Sequence, residues 1–276
     1  MKEERITIST THVDRHGDRI TLRAFRGLVD GSPGLYFPVG VEHDPRIAPV
    51  GRLKKLEIVE LDDGEFALVG TSDLFEPGDD LAYDPRGKLL PKPRIEDEGA
   101  FLGYDRNLRD AESQRILADI GSLIGAKPEE EVKKALDPIT VLTIGFAFVI
   151  GQVASGFFTR LGEDGYNALK GALKKLLKIR DNEKQDRLLR FQALVQSGEE
   201  VVEVNVILTN PSAEDIDLWF SRGMRVLDEH VQRAFEAQEP LHSITYEYSE
   251  GELRLSFAVR KDGVPMFPKE RKDGDS

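Results

Sequence analysis

The stretch Pro138–Thr159, PITVLTIGFAFVIGQVASGFFT, runs for twenty-two residues without a formal charge in a chain that is 32% Asp, Glu, Lys and Arg overall. As an α-helix rising about 1.5 Å per residue it would reach roughly 33 Å, against a hydrocarbon layer about 30 Å thick. Its length predicts a transmembrane helix over 138–159. Thr143, Ala147, Gly151, Ser155 and Thr159 recur at every fourth position, which on a helix makes one stripe of small side chains. Such stripes let backbones approach closely in lipid. Leu142, Phe146, Val149 and Phe157 take the opposite surface, and Gln152 favours a neighbouring helix or a watery lumen. The pattern predicts a homo-oligomer in the bilayer, with Thr143, Ala147, Gly151, Gln152, Ser155 and Thr159 at its interface. The alternative is a long helix buried at the centre of an oligomer.

On either side of this run the chain reads as folded α+β sequence. Ten Lys/Arg and seven Asp/Glu in residues 1–56 give that portion a net +3, within an overall −12. The overall charge opposes indiscriminate nucleic-acid binding, whereas the basic portion suits an anionic ligand. Arg15, His16, Arg19, Arg23, His43, Arg46 and Arg52 are the candidate ligand-binding residues, because planar guanidinium forks match phosphate oxygens. A solvated mixed-charge surface is the alternative. There is no cysteine, so disulfides, thiolate metal sites and cysteine nucleophiles are excluded. The opening MKEERITIST has no apolar signal core, so any insertion would be driven by the internal run. Five Lys/Arg in the twenty residues after the run, against three before it, place the C-terminal flank in the cytoplasm. The expected location is the bacterial inner membrane, with the folded portions cytoplasmic.

Period-two alternation predicts strands over 5–13, 35–42, 50–61 and 65–75, the last two joined at Asp62-Asp63-Gly64. A short helix is expected over 21–30, ending near Gly31. Four prolines between 77 and 93 break regular structure. A helix follows over 108–124, stopped by Gly125, and a short one begins at Pro128. Tyr166–Ile179 reads as a basic amphipathic helix, with charged helical sequence continuing to Ser197. Residues 200–208 are a strand, Ser212 and Asp215 form a capping box, and a hairpin crosses Ser249-Glu250-Gly251. The expected domains are 1–105, a ligand-receiving regulatory domain; 106–198, helical and membrane-active; and 199–268, a β-α-β-β module. Residues 269–276 are expected to be a disordered tail.

His12, Asp14, His16 and Asp18 alternate, and an extended backbone would aim all four at a divalent metal. Gly17 favours a turn instead, so no metal site is expected. Neither a P-loop nor a dinucleotide-binding glycine fingerprint is present, and no cofactor is expected.

Residues 10–75 resemble the HK97-type phage prohead protease family. The resemblance rests on Asp14-Arg15-His16-Gly17-Asp18, on Val41-Glu42-His43-Asp44-Pro45 with Pro49-Val50-Gly51, and on the two strands that follow. It implies a prohead-protease-like β-rich domain in which His43 matches the catalytic base. The family's serine nucleophile corresponds to Thr143-Ile144-Gly145-Phe146, where threonine replaces serine; Ser72, Ser113 and Ser122 are the substitutes. With that replacement the likeness implies a fold retained for sensing or assembly; the alternative is a serine endopeptidase using His43. Ala154-Ser155-Gly156-Phe157-Phe158, Leu161-Gly162-Glu163-Asp164 and Tyr166-Asn167-Ala168-Leu169-Lys170 look like segments of bacterial anti-phage membrane effectors, including Hailong-type channels. That likeness implies an oligomeric channel permeabilising the inner membrane in antiviral defence. Its gate would be an anionic ligand, a nucleotide or DNA oligomer made by a partner enzyme.

Overall fold

The computed structural model describes residues 2–13, 17, 19–41, 44–76, 81–89, 99–131, 139–179, 185–237 and 239–268. The chain divides into two compact units, Met1–Pro91 with Val259–Pro265, and Lys92–Ala258 with Met266–Ser276. Both mix helices with sheet, so the architecture is α+β.

In the first unit, β1 (Lys2–Thr10), β2 (Leu35–Val39), β3 (Gly51–Glu60), β4 (Phe66–Leu74) and β5 (Lys88–Leu89) form a sheet in the order β1-β4-β3-β2-β5. The β3–β4 turn closes at Gly64, whose φ of +82° admits glycine without strain. α1 (Leu22–Gly31) begins where Thr21 accepts a 3.2 Å hydrogen bond from the Ala24 amide, and Phe25 is its buried anchor. Beneath this sheet lies a buried charge network. Arg52 on β3 meets Asp73 on β4 at 3.3 Å and donates to the Asp262 carbonyl at 2.7 Å. Lys54 holds Asp73 at 2.7 Å, and Arg260 holds Asp262 at 3.0 Å.

The second sheet, which belongs to the second unit except for Val259–Arg260 and Pro265, comprises β6 (Phe101–Tyr104), β7 (Pro128–Glu130), β8 (Ile139–Val149), β9 (Asp186–Ser197), β10 (Glu200–Thr209), β11 (Leu241–Ser249), β12 (Glu252–Arg260) and β13 (Pro265–Met266). Their order is β13-β12-β11-β10-β9-β8-β6-β7. Very short strands stand at both edges, which limits edge-to-edge pairing. The helices are α2 (Ala111–Ile124), α3 (Val153–Ile179), α4 (Ala213–Leu218) and α5 (Met224–Glu236), with a π-helical turn at Trp219–Gly223 between the last two. Gly125 caps α2 in the left-handed conformation, and the Ser212–Asp215 capping box opens α4 as its sequence predicts. α3 is two helical segments joined at Gly162, whose φ of 65° and ψ of 174° are not helical.

The transmembrane helix expected at 138–159 is not formed. Among the described residues no helix is long and apolar enough to cross a membrane. Instead, Ile139–Val149 is β8, paired along its whole length with parallel β9 and over four residues with antiparallel β6. Alternate residues Leu142, Ile144, Phe146 and Phe148 enter the main core. Ile139 and Val141 point the other way, into a second cluster with Leu188 and Ile207. A strand buried on both faces needs apolar side chains at every position, which removes the usual alternation. After β8 the chain turns at Gly151, with φ of +73°, and Val153 opens α3. Residues 139–159 are thus a strand, a turn and the first part of a helix.

Two smaller expectations change as well. Pro128–Glu130 is a strand rather than a helix start, and the charged sequence from Asp186 to Ser197 is β9 rather than a continuing helix. The buried half of β9 is Leu189, Phe191, Ala193 and Val195 at period two, with Arg190 and Gln192 between them. That polar half is what disguises the strand.

α3 has no capping side chain of its own at its start. Asp228 of α5 supplies one, accepting the Val153 amide at 2.8 Å and the Ala154 amide at 3.0 Å. First-turn N–H groups have no intrahelical partner, and a carboxylate there also opposes the positive helix end. Asp228→Ala is therefore expected to destabilise the second unit by about 1–2 kcal/mol, read as a lower urea midpoint with unchanged slope.

Candidate functional site

The structure separates the arginines that the sequence grouped. Arg19 donates to the Thr11 carbonyl at 2.9 Å and grips Glu65 with two bonds of 2.7 and 2.8 Å. Arg46 is held by Asp44 at 2.8 Å. Arg52 is buried in the network of Asp73 and Asp262 and lies 4.7 Å from the Tyr36 ring centre. These three charges are already answered by carboxylates of the same unit. Arg15, His16 and His43 lie outside the described residues.

Arg23 differs. It projects from the exposed side of α1 together with Arg26, one turn further on, and neither has an ion pair among the described residues. The first turn of α1 also contains no acidic residue. Two solvent-facing guanidinium groups next to the positive end of a helix make a local anion-attracting surface. Arg26 stands beside Arg23 because one helix carries both.

A second polar cluster sits where β1 ends beside the β3–β4 turn. Antiparallel register brings Thr10 opposite Ala67, which carries the chain just beyond β1 alongside the turn. His12 Nε2 lies 2.7 Å from Asp63 Oδ2, and His12 Nδ1 lies 3.2 Å from Thr10 Oγ. Asp63 Oδ1 also accepts the Glu65 amide at 3.1 Å. The contact from His12, then the amide, holds the Asp63 carboxyl below its usual range. Next to it Glu65 accepts from the Thr11 hydroxyl and pairs with Arg19, contacts that also lower its pKa. Asp63 was legible in the sequence only as a turn residue. Its role beside His12 depends on which strands pair.

No group of metal-ligating side chains forms among the described residues; Asp14, His16 and Asp18 lie outside them.

The residues expected to form one membrane and oligomer interface do not share a surface. Thr143 and Ala147 are buried on β8, Gly151 and Gln152 are exposed in the turn, and Ser155 and Thr159 are exposed on α3. The basic helix at 166–179 is also partly neutralised. Lys170 and Lys174 bracket Asp217 at 2.9 and 2.6 Å, while Lys175 and Lys178 face solvent. Those two lysines, Lys174 first, hold the Asp217 carboxyl below its ordinary range.

The candidate nucleophiles are placed as follows. Thr143 is fully buried, and its hydroxyl has no hydrogen-bond partner among the described residues. Ser72 and Ser113 are also fully buried, and Ser122 spends its hydroxyl on the Ala118 carbonyl. A hydroxyl that attacks an external substrate has to be reachable and close to a base. No protein-family model, no curated protein and no solved structure matches this chain.

Proposed function

We propose that the chain is a ligand-responsive assembly protein of bacterial anti-phage defence, receiving an anionic ligand on its first unit. The observation that supports this reading is the pair Arg23 and Arg26, exposed on α1 without carboxylate partners among the described residues. A nucleotide or short DNA oligomer made by a partner enzyme has the chemistry to engage them: closely spaced phosphates with planar, multiple acceptors. The homo-oligomer, expected from the small-residue stripe, is kept here as a proposal for light scattering to test, and the defence setting carries over from the sequence likeness of residues 154–170. The channel does not, because the segment assigned to it is a central strand.

Fluorescence anisotropy with labelled ATP and a labelled six-nucleotide oligodeoxynucleotide tests the ligand. Arg23→Ala with Arg26→Ala is expected to weaken binding about tenfold or more and to flatten its salt dependence. Equal affinity in the double variant and the parent removes α1 from the reading. Light scattering at saturating ligand tests assembly, and a constant monomer mass removes that part.

A further inference from the structure

We propose that Thr10, His12 and Asp63 form a hydroxyl–imidazole–carboxylate relay, and that this surface of the first unit performs acyl transfer from esters with good leaving groups. The assignment stands independently of the anionic-ligand reading, since it involves neither Arg23 nor Arg26.

The geometry selects one imidazole tautomer. Asp63 Oδ2, 2.7 Å from Nε2, can only accept there, so Nε2 carries the proton and donates it. Nδ1 is then left with a lone pair, and its neighbour at 3.2 Å is the Thr10 hydroxyl. The hydroxyl therefore donates to Nδ1, the arrangement a base needs to take that proton as the oxygen attacks. Thr10 ends β1, and the chain bends over the next two residues to bring His12 back beside it. Asp63 comes from the turn between β3 and β4 and is fixed by the Glu65 amide. Glu65 also acts electrostatically on His12, and its carboxylate is paired with Arg19; the groups in hydrogen-bond reach of His12 among the described residues are Asp63 and Thr10.

Accessibility separates this trio from the buried hydroxyls. The His12 side chain is 45% exposed and that of Asp63 57% exposed, while Thr10 is half-buried. Water at the site weakens electrostatic help for a developing oxyanion. This restricts the chemistry to acyl groups on weakly basic leaving groups rather than amides.

In the reaction, Thr10 Oγ attacks the ester carbonyl carbon while its proton passes to His12 Nδ1. The new Oγ–C bond forms, the ester C–O bond breaks, and the leaving group departs with that electron pair. The imidazolium returns its proton to the leaving group or to solvent. A water molecule, deprotonated at Nδ1, then cleaves the acyl-threonine, and the proton is restored to Oγ. Asp63 touches no reacting atom. It is a positioning residue that fixes the tautomer.

The test uses the full chain with p-nitrophenyl acetate, following p-nitrophenolate release and peptide mass. The expected result is acetyl on Thr10, with release faster than from the same protein carrying Thr10→Val. His12→Gln is expected to slow the acetylation at least about 100-fold. Thr10→Ser retains it, which separates lost chemistry from lost folding. Asp63→Asn is expected to change the pH profile of the rate rather than only scale it, since it removes the acceptor that fixes the Nε2 proton. An unmodified Thr10 in the parent, together with p-nitrophenolate release no faster than from Thr10→Val, overturns the proposal. So does equal labelling in His12→Gln.

Discussion

Ile144→Asn is expected to unfold the second unit. Ile144 is fully buried at the middle of β8, opposite Leu102 on β6 and Phe191 on β9. Removing its branched side chain leaves a cavity, with losses of about 2–5 kcal/mol for large-to-small core changes. The amide adds about 1–3 kcal/mol more, because it finds no water at that depth. The sum is comparable to the 5–15 kcal/mol that holds a typical domain together. Trp219 is the single tryptophan and is fully buried in this unit, so its fluorescence in a urea titration reports the loss directly. Val149→Asn is the matched control: Val149 ends the same strand and is 50% exposed, and its cost is expected to stay within about 0.5 kcal/mol. A membrane-spanning helix would place both positions in the apolar run alike. Similar effects of the two substitutions would therefore defeat the central-strand assignment.

Arg52→Met is expected to have the second large effect, this time on the first unit. Its guanidinium is shared between Asp73 and Asp262, both almost fully buried. The Met side chain fills part of the volume but leaves the carboxylates short of their common partner. Removing one member of a buried ion pair typically costs about 3–5 kcal/mol, mostly from the charge left behind. Lys54 and Arg260 remain on the two carboxylates, which sets the expected loss toward the lower end. Arg52→Lys should not rescue it, because an ammonium cannot replace a fork that reaches two acidic groups and the Asp262 carbonyl. Hydrogen exchange of the β3 and β4 amides is the measurement. Unchanged protection in Arg52→Met would show that the network does not hold the sheet.

Punctuation in the sequence was legible where its cause is local. Gly125 after α2, the Ser212–Asp215 box and the Asp62-Asp63-Gly64 turn all act on backbone groups within a few residues. The β10-helix-β11-β12 order followed from period and turn residues. The central run misled because hydropathy reports only that water is excluded. Thr140, Val141, Thr143, Ile144, Phe146, Phe148 and Val149 were β-branched or aromatic throughout, and Gly151-Gln152 supplied a break. These signals favour a strand and a turn, whereas the length of the run is shared by a membrane-spanning helix.

Of the candidate site, the chemistry types were visible and their grouping was not. Seven basic residues looked interchangeable in the sequence. Ion pairing set Arg19, Arg46 and Arg52 apart from Arg23, and the acids responsible are as distant as Asp262, 210 residues from Arg52. The neighbours of His12 likewise depend on antiparallel pairing of β1 with β4.

The residue order alone established an α+β chain without thiol chemistry, its main helix caps, its hairpins and an uncharged central segment that must leave water. Tertiary structure decided where that segment goes: β6 and β9 satisfy its backbone, and apolar clusters on both sheet faces receive its side chains. Caps and turns are settled by hydrogen bonds between near neighbours, so they can be read in order. Shelter on two faces is supplied by strands and helices brought in from elsewhere in the chain, and only the folded arrangement contains them.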